Sequence, residues 1–398
     1  MPVATLAPHA PPFSLRGRSL LPVVQGGMGV GVSAHRLAGT VAGCGALGTI
    51  ASVDLRRLHP DLMATTGRSR DRARIEAANL EALSREVRAA KALAGGRGAV
   101  AVNVMRAVTQ YADYVRVACQ SGADAIVMGA GLPLDLPELT ADFPEVALIP
   151  ILSDVRGVSL LLKKWARKGI APDAIVLEHP GYAGGHLGAA SVAELHDRRF
   201  DFDVVIPGCL ELFERMDMKP VPLVPAGGIN APDRVRALFA LGASAVQVGT
   251  PFAVTEEGDA HPTFKRVLAE ARPEDIVEFI SVAGLPARAV RTPWLANYLK
   301  REAHLCAKAS SAHHCTLAWD CLISCGLRDG IARFGQFCID NQLAAALRGD
   351  LERGLFFRGA GALPFGEAIR PVRDLIDYLL NGLRPATSVA ASAAASPA

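Results

Sequence analysis

A single histidine lies within the stretch Gly181–Gly188, GYAGGHLG, in which four of the eight residues are glycine. Imidazole is the side chain whose unperturbed pKa lies closest to neutral pH, so His186 could accept a proton or, once charged, hold an anion. Glycine at this density weakens helices and strands. Two interpretations are therefore open. The stretch is either a surface loop in which the histidine is incidental, or a segment whose backbone approaches a flat or charged ligand and whose histidine takes part in the chemistry.

Three further glycine clusters could bind a phosphate group. They read GGMG at Gly26–Gly29, AGGI at Ala226–Ile229 and GTPF at Gly249–Phe252, and each directly follows a short apolar run. Neither Asp nor Glu interrupts the last two clusters, and backbone N–H groups in such loops donate hydrogen bonds to phosphate oxygens. The last two clusters therefore predict a phosphate site, against the alternative that their glycines only permit tight turns.

Five of the eight cysteines lie between Cys306 and Cys338, with the spacing C-x8-C-x5-C-x3-C-x12-C. Zinc sites favour paired C-x2-4-C ligands, and only Cys321–Cys325, whose intervening residues favour a helix, approaches that spacing. Cysteine is also a small apolar residue that is often buried. We therefore favour packing over a metal or iron–sulfur site and assign no metal ligand. The histidines on either side of the glycine-rich stretch, His179 and His196, are predicted to be polar surface residues.

Short apolar runs alternate with helix-period segments up to about residue 250. The runs are apolar almost throughout, as expected for parallel strands buried on both faces. They are Val23–Gln25, Ala46–Ile50, Ala99–Val104, Ala125–Met128, Ala147–Leu152, Ala174–Leu177, Val221–Ala226 and Ala245–Val248. The helical segments are approximately Ala34–Cys44, Ile75–Ala94, Ala112–Ser121, Gly157–Lys168 and Pro232–Leu241.

Eight strands alternating with helices predict an α/β fold of the (β/α)8, TIM-barrel type. In such barrels the site is built from the loops that follow the strands, which is where all four glycine clusters lie. A doubly wound sheet is the alternative. It is disfavoured because GGMGVG after the first run is not followed by the acidic residue that a dinucleotide-binding fold places at the end of its second strand.

The chain continues beyond the eighth apolar run. A further helix is predicted at Pro262–Glu270, followed by a cysteine-bearing region that is helical in pattern to about Leu380. The last residues, RPATSVAASAAASPA, are of low complexity and predict disorder. The predicted division is an N-terminal extension at 1–20, a barrel at 21–290, a helical appendage at 291–383 and a disordered tail at 384–398.

Composition excludes several classes of partner. Half of the 398 residues are hydrophobic, 20% are charged, and the net charge of +3 is spread along the chain. Such a chain supplies a large core but no electrostatic footprint for nucleic acid or a membrane surface. No apolar run is long enough to span a bilayer, and the first residues do not read as a secretory signal. Eight cysteines without an export signal predict reduced thiols in the cytoplasm.

Five motifs, taken in order, resemble the nitronate monooxygenase family, formerly called 2-nitropropane dioxygenases, and the related flavin-dependent enoyl-acyl-carrier-protein reductases. They are PVVQGGMGVGVS, AVNVMRA, EHPGYAGGHLG, VPAGGINAPDRVRALFALGASAVQVGTPF and SVAGLPARAV, over residues 21–291. The resemblance extends more loosely to FCIDNQLAAALRGDLERGLFFRGAGALPFG. It implies a TIM-type barrel that binds FMN.

The resemblance also implies roles for individual residues. The catalytic histidine of the family corresponds to His186. The residues that line or contact the flavin ring correspond to Gly27, Met28, Asn103, Gly184 and Gly185. The positions that hold the phosphate and neighbouring groups correspond to Gly227, Gly228, Gln247, Gly249 and Thr250.

The reaction implied by the resemblance is oxidation of an alkyl nitronate by molecular oxygen, with FMN supplying the redox chemistry. His186 would remove a proton from a neutral nitroalkane or, as imidazolium, hold the nitronate anion. Two alternatives stay open. The first is an NAD(P)H-dependent reductase of a quinone or enoyl thioester, and the second is a flavin-binding protein without turnover. Anaerobic bleaching of the flavin by NAD(P)H would indicate the reductase.

Overall fold

The computed structural model describes residues 11, 13–310, 315, 317 and 319–385. The predicted N-terminal extension contributes a short antiparallel hairpin, with β1 at Phe13–Leu15 and β2 at Arg18–Leu20. Residues 386–398, which make up most of the predicted disordered tail, lie outside the described residues. The tail and the domain boundaries therefore stay predictions.

Eight parallel strands close the barrel that the sequence predicts. They are β3 (Val23–Gln25), β4 (Leu47–Ala51), β5 (Ala99–Met105), β6 (Ala125–Gly129), β7 (Ala147–Leu152), β8 (Ile175–Glu178), β10 (Leu223–Ala226) and β11 (Val246–Val248). Between β8 and β10, the two-residue strand β9 (Gly185–His186) leaves the barrel. The barrel strands pair in chain order and β11 returns to β3, so the (β/α)8 fold is confirmed and the doubly wound alternative is wrong.

The hairpin closes one end of the barrel. Phe13, Leu15 and Leu20 are buried in one cluster with the inward-facing side chains of the barrel strands. The Arg18 guanidinium donates to the carbonyl of Gly98, which directly precedes β5. The amino ends of the strands are therefore covered, and the carboxyl ends are left for a site.

Helices surround the barrel between successive strands. They are α1 (His35–Gly43), α2 (Pro60–Thr66), α3 (Arg72–Ala94), α4 (Tyr111–Gln120), α5 (Leu136–Leu139), α6 (Val155–Ala166), α7 (Phe202–Arg215), α8 (Pro232–Ala240) and α9 (Thr250–Ala253). Helix α7, which the sequence analysis did not predict, contains Pro207, although proline normally interrupts a helix. Burial of one face, which includes Ile206, Cys209 and Phe213, stabilises α7 despite that proline.

The chain beyond β11 contains helices and two strands, and both strands lie before the predicted appendage at 291–383. Its elements are α10 (Pro262–Glu270), β12 (Ile276–Ile280), β13 (Pro286–Val290), α11 (Pro293–Ala307), α12 (Gly326–Asp329), α13 (Ile339–Leu347) and α14 (Val372–Asn381). Strands β12, β13 and β9 form a separate antiparallel sheet. The helix expected between Cys321 and Cys325 is wrong, since α12 begins only at Gly326. Among the described residues no helix is both long and apolar enough to cross a membrane.

Candidate functional site

A cavity of about 530 Å³ lies at the carboxyl ends of the barrel strands. All eleven residues singled out from the sequence line it. They are Gly27, Met28, Asn103, Gly184, Gly185, His186, Gly227, Gly228, Gln247, Gly249 and Thr250. Residues from loops far apart in the sequence therefore share one enclosure, as a ligand-binding site at this end of a barrel requires.

The floor of the cavity is the last inward-facing layer of the barrel. Side chains alternate along a strand, and Ala101 and Ala245 face the interior, so Asn103 and Gln247 continue those rows to the mouth. The Asn103 Nδ2 donates to the Val127 carbonyl at 3.3 Å. The buried Gln247 Oε1 has no hydrogen-bond partner among the described residues. The floor thus presents an unpaired acceptor towards the site.

Two glycines bring backbone close to the cavity where a side chain has no room. A Cβ at Gly27 would lie 2.3 Å from Asn103 Cβ. A Cβ at Gly184 would lie 2.5 Å from the carbonyl carbon of Arg358. Both distances are far below van der Waals contact, so these positions accept only glycine and leave bare backbone as the cavity wall.

The sheet outside the barrel positions His186. Strand β9 pairs with β13 so that His186 is opposite Ala287 and Gly185 is opposite Arg288. The buried Arg288 guanidinium donates to the carbonyls of Pro180 at 3.0 Å and Ala183 at 2.5 Å. The glycine-rich stretch is therefore not a free loop, because a strand pairing and an arginine hold it at both ends.

Arg288 is itself held by an ion pair. Its Nη2 lies 2.5 Å from Glu278 Oε1, across the antiparallel pair β12–β13. The planar guanidinium can serve the carboxylate and two carbonyls at once. One buried side chain thus joins the small sheet to the stretch that carries the histidine.

His186 is poised as a neutral imidazole. Its Nε2 is buried without a hydrogen-bond partner among the described residues, and its ring contacts Phe357 edge-on at a centroid distance of 5.6 Å. Burial lowers the pKa of His186 to about 4 because the charged form loses its hydration. At neutral pH the ring is uncharged, so it favours the proton-acceptor role over the imidazolium role.

The neighbouring histidine differs from the sequence expectation. His179 is buried rather than at the polar surface. Its Nδ1 accepts from the Gly181 N–H at 3.0 Å, and its Nε2 lies 3.2 Å from Asp201 Oδ1. Burial also lowers its pKa. His179 therefore braces the start of the glycine-rich stretch, which its sequence setting did not reveal.

The C-terminal appendage forms one wall of the cavity. Its lining residues are Cys321, Leu322, Ile339, Asp340, Leu343, Ala346, Leu355, Phe357, Gly359, Gly361, Ala362 and Leu363. The hydrophobic periodicity of this region did not indicate whether it covers the cavity or packs elsewhere on the barrel. The structure shows that it covers the mouth of the site.

One segment of the appendage, Arg358–Leu363, crosses the loops that were predicted to bind phosphate, and we call it the strap. The Gly359 N–H donates to Thr250 Oγ1 at 3.0 Å, and the Ala360 N–H donates to the Tyr182 carbonyl at 3.0 Å. The Asn230 Nδ2 donates to the Ala362 carbonyl at 2.7 Å. The strap is thus fixed to the loops after β8, β10 and β11.

A buried arginine organises the strap. Arg358 is 3% exposed and donates to the carbonyls of Leu268 at 2.8 Å, Gly359 at 2.8 Å and Gly361 at 3.2 Å. Burial lowers its pKa, and no carboxylate among the described residues forms an ion pair with it. A buried cation without a counter-ion makes the surrounding potential positive, which favours a nearby anion.

A buried ion network fixes the rest of the appendage to the barrel. Arg57 pairs with Asp54, directly after β4, and with Asp340 on α13. The Arg56 Nε also lies 2.9 Å from Asp54 Oδ1. Burial and the carboxylate of Asp340 raise the pKa of Asp54. The network joins two arginines to two aspartates and lies next to the cavity, which Asp340 lines.

The cysteines are free thiols, and the preference for packing over a metal site stays a prediction. All eight are free, and Cys119, Cys209 and Cys325 are buried. Within the described ranges, no group of three or more His, Cys, Asp or Glu side chains is arranged to hold a metal ion. Cys321 lines the cavity, but burial raises the pKa of its thiol, so it stays protonated.

Sequence reasoning missed one ionisable residue of the cavity floor. Glu178 ends β8 and lines the cavity, although it stands inside the quoted motif EHPGYAGGHLG. A carboxylate at the end of an otherwise apolar run was the available signal, since charged residues at the carboxyl end of a barrel strand are typical of function. Asp340 and Phe357 also line the cavity, but neither follows an apolar run that predicts a barrel strand.

Comparison with known proteins places these features in a family. The family model described as nitronate monooxygenase matches residues 18–382. A probable nitronate monooxygenase of Bacillus subtilis is 31% identical over 123 residues, which are 31% of this chain and 33% of that protein. One of Staphylococcus saprophyticus is 25% identical over 187 residues, 47% of this chain and 49% of that protein. The chain thus spans a third to a half of the length of these relatives.

Solved structures share the fold. FabK from Thermotoga maritima superposes with a TM-score of 0.58 at 23% identity and covers 90% of this chain and 91% of that one. The nitroalkane oxidase from Streptomyces ansochromogenes superposes with a TM-score of 0.61 at 18% identity over 90% of this chain and 94% of that one. The likeness therefore includes the appendage as well as the barrel.

Proposed function

The chain belongs to the nitronate monooxygenase family, and from that membership we propose that it is an FMN-dependent oxidoreductase that oxidises alkyl nitronates with molecular oxygen. The observation that carries the proposal is the convergence of all eleven family-motif residues on one cavity. A volume of about 530 Å³ is within the range of cofactor pockets. The oxidoreductase class follows from the family; the cofactor and the substrate are our proposal.

The cavity fits a flat, phosphorylated cofactor. Bare backbone at Gly27 and Gly184 leaves room for a ring to lie against the wall, and the unpaired Gln247 Oε1 would accept from a ring N–H. Residues proposed to line the ring are Gly27, Met28, Asn103, Gly184, Gly185 and Gln247. FMN bound here would supply the electron transfer between substrate and oxygen.

The phosphate of FMN would lie against the loops after β10 and β11. Gly227, Gly228, Gly249 and Thr250 line this part of the cavity, where positive φ values of 105° at Gly227 and 69° at Gly228 require glycine. Backbone amides there would donate to the phosphate oxygens. The buried positive charge of Arg358, the first residue of the strap, would add a favourable electrostatic potential without contacting the phosphate.

His186 is proposed to act as the catalytic residue in its neutral form. An unpaired Nε2 can accept a proton from the carbon next to a nitro group or, in the other tautomer, donate to a nitronate oxygen. Its lowered pKa excludes a large imidazolium population at pH 7. Of the two roles that the sequence left open, the neutral base is the one that the electrostatics support.

The test is oxygen consumption by the purified flavoprotein with a panel of alkyl nitronates, run beside anaerobic flavin bleaching by NADH and NADPH. We expect nitronate-dependent oxygen uptake and slow bleaching. Fast bleaching without nitronate turnover would replace the proposal with the reductase. A colourless protein that does not take up FMN would reject both.

The role of His186 is tested separately. In the His186→Ala and His186→Asn variants we expect normal FMN content but, with the neutral nitroalkane as substrate, a kcat/KM at least about 100-fold below wild type, the usual contribution of one acid–base group. His196→Asn is the matched control, because this histidine is not a cavity-lining residue. Equal turnover in the His186 variants and the wild type would remove the residue from the mechanism.

A further inference from the structure

A second ionisable group faces the proposed substrate space. Glu178 is the last residue of β8, opposite Ala226 in the parallel pair with β10. Ala174 and Val176 on the same strand face the barrel interior, so Glu178 continues that row to the cavity, which it lines. Neither the resemblance nor the proposed function gives this carboxyl a role.

The Glu178 carboxyl has no hydrogen bond or ion pair among the described residues. The charge of Arg288 acts on Glu178, but that guanidinium is occupied by Glu278 and by two backbone carbonyls. Burial raises the pKa of Glu178 to about 7, although Arg288 opposes the shift. Glu178 is only partly exposed, and its carboxyl lies without a partner at the wall of an enclosed cavity, a setting typical of functional groups.

Two further positive charges lie near the site, Arg358 at the start of the strap and Arg57 in the ion network with Asp340. Neither is among the described residues that line the cavity. Strands β7 and β10, on either side of β8, carry no titratable residue. Other titratable and charged groups on the elements around Glu178 are His179, Tyr182, His186, Glu278, Arg288, Cys321 and Asp340. Among the described residues that line the cavity none is Lys or Arg, and His186 is neutral.

We infer that Glu178 in its acid form donates a hydrogen bond to the anionic oxygen of the substrate, and that its ionisation excludes anions from the cavity. A neutral carboxylic acid held in an apolar site is a strong donor to an oxyanion. A carboxylate at the same place repels a nitronate, and no cation of the wall offsets the repulsion. This inference rests on the proposed function for its substrate class, an anion with a planar nitro group.

Nitrate is a suitable probe, because it is a planar anion with the oxygen geometry of a nitronate and does not react. Its dissociation constant is measured by isothermal titration calorimetry on FMN-loaded protein between pH 6 and pH 8.5. If only the acid form binds, wild-type affinity falls with a midpoint near pH 7 and is about 30-fold weaker at pH 8.5. Glu178→Gln keeps a donor but cannot ionise, so its dissociation constant changes by less than about threefold.

Three results would overturn the inference. They are a wild-type affinity that does not change with pH, a Glu178→Gln variant with the wild-type pH dependence, and no binding of nitrate to the wild type at pH 6. The wild-type titration alone keeps the test valid if the variant does not fold. Glu178→Ala removes the donor as well, and we expect weak binding by this variant at every pH.

The same experiment separates this inference from the proposed function. If nitronates are not oxidised but nitrate binding depends on Glu178, the proposed reaction is wrong and the anion selectivity stands. If nitronates are oxidised and Glu178→Gln retains the wild-type pH dependence, the proposed reaction stands and the role of Glu178 is wrong.

Discussion

Gly27 approaches Asn103 so closely that a side chain at this position has no room. We predict that Gly27→Ala loses FMN, because the new Cβ would have to displace Asn103 from a distance of 2.3 Å. Flavin absorbance of the purified variant measures the effect. Gly29→Ala is the matched control in the same loop, since its nearest atoms would be 3.9 Å away. Loss of FMN in both variants would point to the loop in general rather than to this contact.

The lowered pKa of His186 predicts a pH dependence of stability. The unfolded histidine titrates at 6.5 and the folded one at about 4, so the unfolded chain binds an additional proton between these values. The contribution to stability is full above pH 6.5 and is lost as the pH falls towards 4. At pH 5 we expect a loss of about 2 kcal/mol relative to pH 7. The free energy of unfolding of His186→Asn, measured with urea at both pH values, should not show this loss at pH 5. If the variant loses as much stability between pH 7 and pH 5 as the wild type, the histidine ring is not buried in its neutral form.

At the scale of elements, the strands of the barrel could be predicted because parallel strands buried on both faces have a simple pattern. Val23–Gln25 and Ala147–Leu152 agree with the structure residue for residue. Strand β9 could not be predicted, because its two residues owe their conformation to pairing with β13, about a hundred residues later in the chain. The same long-range pairing fixes the position of His186. The sequence motif therefore identified the residue but not the strand β13 that positions it.

Arg288 gives that support a direct test. A lysine has one compact donor group and cannot serve Glu278, Pro180 and Ala183 together, so Arg288→Lys should loosen the stretch that carries His186. We expect kcat/KM for the neutral nitroalkane to fall at least about 10-fold with a smaller change in FMN content. Glu278→Gln is the control that keeps the arginine. If Arg288→Lys retains full activity, β13 alone positions the histidine.

At the scale of the whole molecule, the barrel and the appendage form one functional unit. The cavity takes its floor from the barrel and its cover from the strap and from residues around α13. Sequence periodicity identified both parts but not their contact, because the residues that meet in the shared apolar clusters and in the ion network are far apart in the chain. Arg57 and Asp340 are separated by 283 positions, and only Asp340 lies in a segment that resembles the family, FCIDNQLAAALRGDLERGLFFRGAGALPFG.

The Arg57 network should therefore control both stability and cofactor retention. Arg57→Met leaves Asp54 and Asp340 buried without their shared cation, which typically costs about 3–5 kcal/mol. We expect urea unfolding to show a loss of stability of that size. FMN should also dissociate faster, because the appendage loses its ion pair to the barrel beside the cavity.

Arg199→Met, which breaks an exposed pair with Glu194, should cost no more than about 1 kcal/mol. Combining Arg57→Met with Asp340→Asn should recover part of the loss, because Asp54 still pairs with Arg56 and the side chain at 340 is then neutral. A double variant that is as unstable as the sum of the single variants would show that the two side chains act independently, and the closure of the site would then depend on the strap alone.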